Sequence, residues 1–82
     1  MNKQDYIKQL QENVCEVIFR KKNGELRTMK CTLQRAFIEQ NDLIPTGSGN
    51  SGTDIQVKCV DVDLKEWRSF NIDSVETFRV LV

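Results

Sequence analysis

The run "VCEVIFRKKNGELRTMKCTL", residues 14–33, constrains the fold more than any other part of the chain. β-branched and aromatic residues flank Asn23-Gly24 on both sides, the pattern of two antiparallel strands joined by a tight turn. Loop length then decides which side chains share a face. A two-residue turn at Asn23-Gly24 would set Val17 opposite Lys30 and Phe19 opposite Thr28, mixing apolar and polar residues on each face. A three-residue loop, Lys22-Asn23-Gly24 with Gly24 in the left-handed conformation, sets Cys15 opposite Cys31 and Val17 opposite Met29. It also sets Glu16 opposite Lys30, an opposite-charge pair across the strands. A slip of one residue inverts every side chain, so the three-residue loop is expected.

Around this hairpin the other elements fall into place. Residues 3–12 read as a short amphipathic helix, with Asn2 as its cap, Asp5 in the first turn and Tyr6, Ile7 and Leu10 on one stripe. "LQRAFIEQNDLIP" spaces Leu33, Ala36, Phe37 and Ile38 for one or two helical turns ending near Asn41. "IQVKCVDV" is expected as a strand with Ile55, Val57 and Cys59 on one face. A turn at Asp63-Leu64-Lys65-Glu66 leads to the strand "WRSFNI". Asp73-Ser74 marks a single tight turn, and "ETFRVLV" a last strand with Phe78, Val80 and Val82 facing one way. Five short strands behind an N-terminal helix predict a mainly β domain. It is expected to be a single five-stranded SH3-like or Sm-like barrel over residues 1–82, with the helical segment at 1–13 and an open α+β sheet as the alternative.

The stretch "GSGNSG", Gly47 to Gly52, matches the dinucleotide-binding letters G-x-G-x-x-G. That pattern works when a strand ends at the first glycine and a helix begins after the third, so that the helix N-terminus meets the pyrophosphate. Here it follows Ile44-Pro45-Thr46 and runs into a predicted strand. Thr53 also stands where a phosphate-binding loop needs lysine. Residues 45–54 are therefore expected to be a flexible loop without a ligand role.

Composition narrows the chemistry. Eighty-two residues leave little room for a deep catalytic cleft. There is no histidine, the commonest general base, and Cys15, Cys31 and Cys59 include no C-x-x-C pair. We therefore expect buried, reduced cysteines, no metal, no cofactor and no enzymatic activity. The absence of a long apolar run predicts neither signal peptide nor membrane span, and so an intracellular protein. Twelve basic and twelve acidic residues cancel, which argues against a strong non-specific nucleic-acid binder but leaves room for a local patch. Arg20, Lys21, Lys22, Arg27 and Lys30 make the one such patch, for which a solvated hairpin tip is the commoner explanation, since lysines on exposed edges also suppress strand aggregation. Asp61, Asp63 and Glu66 gather acid near the other hairpin in a spacing that fits no calcium loop, and a solvated turn is expected there.

The closing stretch "WRSFNIDSVETFRVLV" resembles the end of WYL domains, Sm-like barrels of bacterial regulators, with Arg68, Phe70, Asp73 and Val75 on the motif positions. Together with "VIFRKKNGELRTMKCTL" and "VDVDLKEWRSFNIDSV", the likeness spans roughly residues 14–80. It is similar in particular to the short WYL-like proteins of tailed bacteriophages. The resemblance implies a regulatory module in the cytoplasm of an infected bacterial host, binding nucleic acid or a nucleotide-like effector. The Trp-Tyr-Leu tripeptide is replaced by "QVKCVDV", and Asn71 and Ser74 stand where arginine is frequent. No helix-turn-helix accompanies the barrel, so a module rather than a complete regulator is expected.

Two readings of the candidate site stay open at this level. Trp67 and Arg68 could form a stacking platform with a fixed cation, and Arg20, Lys21, Lys22 and Arg27 could hold further phosphates. Alternatively Trp67 covers the barrel end, and Arg68 pairs with Asp61 or Asp73. On the second view the chain is a protein-binding inhibitor or adaptor that docks on a host protein without a nucleic-acid ligand.

Overall fold

The computed structural model describes residues 1–43 and 54–81. The element order is α1 (Lys3–Glu12), β1 (Val14–Arg20), β2 (Leu26–Thr32), α2 (Arg35–Gln40), β3 (Gln56–Asp61), β4 (Glu66–Asn71), a 3-10 turn (Ile72–Ser74) and β5 (Val75–Val80). The expectations for Gly47–Gly52 and for Val82 lie outside the described residues.

The β1–β2 hairpin adopts the three-residue loop. Cys15 pairs with Cys31, Glu16 with Lys30 and Val17 with Met29. Gly24 has φ 90°, and Lys21 closes the loop by accepting from the Gly24 amide (2.9 Å) and donating to the Glu25 carbonyl (2.7 Å). Alternation then does the sorting. Cys15, Val17, Met29 and Cys31 face inward and are buried, while Lys30 and Thr28 face solvent.

All strands join one antiparallel sheet in the order β4-β3-β2-β1-β5. Its inner face carries Val57, Cys59 and Phe70 as well, and α1 packs onto it through Tyr6 and Leu10. Asn2 caps α1 as expected, and Asp5 returns the bond to complete a capping box. The β2–β3 ladder is short, Cys31 with Asp61 and Thr32 with Val60. Thr32, fully buried, sits with its hydroxyl 3.2 Å from the Leu10 carbonyl and 3.0 Å from that of Asn13, and accepts from the Gln34 amide. One hydroxyl thus ties the end of α1 to the junction of β2 and α2.

The architecture is the expected five-stranded, mainly β one with an N-terminal helix, but the sheet does not close. No ladder joins β4 to β5 among the described residues. The gap is filled by a side chain instead. The Tyr6 ring meets Phe70 of β4 edge-on at 5.8 Å and Phe78 of β5 at 4.9 Å. In β3 the apolar set also differs from expectation. Ile55 precedes the strand and is exposed, whereas Val60, on the outer face, is fully buried. Val60 is directly opposite Trp67 across the β3–β4 ladder, a position within reach of that large ring.

Candidate functional site

The hairpin tip presents Arg20, Lys21 and Lys22, all exposed. Arg20 is braced, its Nη1 donating to the Gly24 carbonyl at 2.8 Å. That fixes one guanidinium edge and leaves the others toward solvent. Asn23 Oδ1 accepts from the Glu25 amide and rigidifies the same turn.

Arg27 does not join this group. Strand alternation points it to the inner face, where Nη2 lies 3.4 Å from Asp61 Oδ2. Asp61 is 4% exposed, and its Oδ1 accepts the amides of Asp63 (2.9 Å) and Leu64 (3.0 Å). The carboxylate shapes the β3–β4 turn and takes Arg27 as its counter-ion. The acid expected to be merely solvated there is structural.

Trp67 and Arg68 are consecutive in β4 and therefore point to opposite faces. Trp67 is on the outer face, half-buried, with Nε1 donating to the Leu43 carbonyl at 2.7 Å. Arg68, opposite Cys59 on the inner face, donates to the Trp67 carbonyl and pairs with Glu66. The pair does not form a joint platform. Nor does Trp67 cover the main core, and Arg68 takes Glu66 rather than Asp61 or Asp73. Each of these side chains has a local structural job.

The described residues hold no group of three or more His, Cys, Asp or Glu that could bind a metal. Cys15, Cys31 and Cys59 are buried and free. Burial, with Cys31 beside it, raises the Cys15 thiol to about 11, and a hydrogen bond with Cys31 together with burial raises Cys59 further. Protonated, enclosed thiols are poor nucleophiles.

Sequence reasoning missed Arg79. It lies on β5 beside β1, opposite Glu16, and its Nε donates to Glu16 Oε1 at 3.0 Å. Only the β1–β5 pairing brings residues so distant in the chain together, and no local signal reports that pairing.

The family model described as WYL_2, Sm-like SH3 beta-barrel fold, matches residues 3–75. The chain belongs to that family. Membership gives it a regulatory or ligand-binding character in general terms, and the open five-stranded sheet is the form the fold takes here. No curated protein and no solved structure matches the chain. No helix among the described residues is long and apolar enough to cross a membrane.

Proposed function

We propose that this WYL-family domain is a non-catalytic binding module for a nucleic acid or nucleotide, held at the tip of the β1–β2 hairpin. The carrying observation is the exposed cluster of Arg20, Lys21 and Lys22, with Arg20 anchored on Gly24. A guanidinium already held by the backbone suits phosphate oxygens, since little of its own side-chain order is lost on binding, and the two neighbouring ammonium groups add positive charge. The absence of histidine and the enclosure of all three thiols favour binding over catalysis. Bacteriophage origin and a bacterial cytoplasm as the place of action belong to the same proposal and rest on the sequence resemblance.

Anisotropy of a fluorescein-labelled single-stranded oligonucleotide at low ionic strength tests this. The signal should rise on adding the protein and fall with salt, and the triple change Arg20→Gln, Lys21→Gln, Lys22→Gln should weaken binding at least tenfold. An unaltered affinity would refute the tip as the site. A docking function on a host protein is favoured by one observation, the outer edges of β4 and β5, which lack ladder partners among the described residues. Capture of a host protein that survives nuclease, with no oligonucleotide binding, would favour it.

A further inference from the structure

The outer faces of β2, β1 and β5 carry four cross-strand rows, and beyond the row of Val14 and Thr32 come the three nearest the hairpin tip. They are Leu26 beside Arg20, then Thr28, Ile18 and Thr77, then Lys30, Glu16 and Arg79. Arg20, Lys30, Arg79, Thr28 and Thr77 are all exposed. Glu16 is the only acid at a ladder position in these rows, and its side chain is 14% exposed and tied to Arg79. In a chain whose charges cancel, these rows are locally basic, and Lys21 and Lys22 follow Arg20 in the chain at the tip, with the exposed Glu25 opposite Lys21.

We infer that the outer face of β1, β2 and β5 is a docking surface for the phosphate backbone of a nucleic acid, read without regard to base sequence. The inference rests on the proposed nucleic-acid function and extends its site from the tip to Lys30 and Arg79. Spacing and chemistry both support it. Strands lie about 4.8 Å apart and alternate residues about 6.7 Å along a strand. The cations are thus spread over a surface of nucleic-acid dimensions rather than focused on one small anion. The middle row offers hydroxyls from Thr28 and Thr77, which can donate to phosphate oxygens. No aromatic ring stands in these rows, so base stacking has no platform on this face, and what is left is charge and hydrogen bonding to the backbone.

Two variants separate face from tip. Thr28→Glu places a negative charge at the centre of the face, at an exposed position whose side chain makes no hydrogen bond among the described residues. Lys21→Gln with Lys22→Gln alters the tip alone. Binding of two labelled 16-base-pair DNA duplexes of unrelated sequence is measured between 20 and 200 mM salt, with circular dichroism melts to confirm folding. We expect both duplexes to bind within about twofold of each other, and Thr28→Glu to weaken both at least fivefold. Adding Lys30→Gln should flatten the salt dependence by roughly one unit of log–log slope. If Thr28→Glu binds as the parent does while the tip variant fails, the face inference falls and the tip proposal stands. If neither duplex nor single strand binds at 20 mM salt, both fall. A strong preference for one duplex would also overturn backbone reading.

Discussion

Cys15, Cys31 and Cys59 come together on the inner face, one from each of three adjacent strands, and none is exposed. Their expected role as a reduced core is what the structure shows, and it carries a pH dependence. Cys15 is raised from its ordinary 9.0 to about 11, and burial raises the Tyr6 hydroxyl as well. Because these folded-state values lie above the unfolded ones, the folded protein holds its protons more tightly. The stabilisation is whole below about pH 9 and is lost as pH rises through 11. Thermal melts should therefore be level between pH 7 and 9 and fall steadily above, and a thiol reagent at pH 8 should label the native protein slowly. Rapid labelling of all three thiols would contradict their enclosure. At this scale much was legible. Asn23-Gly24 and the hydrophobic alternation specify the register and the left-handed Gly24 by local geometry alone. The pairing of Asp61 with Arg27 was not legible, because it depends on β2 lying beside β3, whereas Arg68 takes Glu66, a neighbour two residues away on the same strand.

Helix α1 is too short to persist on its own and takes its stability from docking. Its cap and its Tyr6, Ile7 and Leu10 stripe were plain in the sequence, since both are local patterns. Where the stripe docks was not. Tyr6 reaches Phe70 and Phe78 on two strands that share no ladder among the described residues, and so substitutes for the missing backbone closure. Tyr6→Ala should cost about 3–5 kcal/mol in urea unfolding, the range for removing a large buried ring. Tyr6→Phe, which keeps the ring, should cost about 1 kcal/mol or less. Equal losses in the two variants would show that the ring is not what joins the two edges. Helix α2 contrasts with α1. None of its residues is fully buried, and just after it Leu43 accepts a hydrogen bond from Trp67. The tryptophan that looked like a ligand platform thus has its indole N–H engaged by the backbone at Leu43.

For the molecule as a whole, one face of the sheet is closed by α1 and the core, and the other is polar and positively charged around the hairpin. The five-strand, one-helix composition followed from element counting. Failure of the sheet to close did not, because closure depends on the edge partners of β4 and β5, which no local pattern encodes. The same non-local pairing adds Arg79 to the basic side of the molecule. That side should meet the ligand, and backbone amide chemical shifts report it directly. On titrating the isotope-labelled protein with a short oligonucleotide at low salt, we expect shifts concentrated at residues 18–30 and 77–79, reversed by 200 mM salt, with α1 and β4 unmoved. Shifts confined to α1 or β4, or none at all, would contradict the central claim that the hairpin side of the sheet is the binding site.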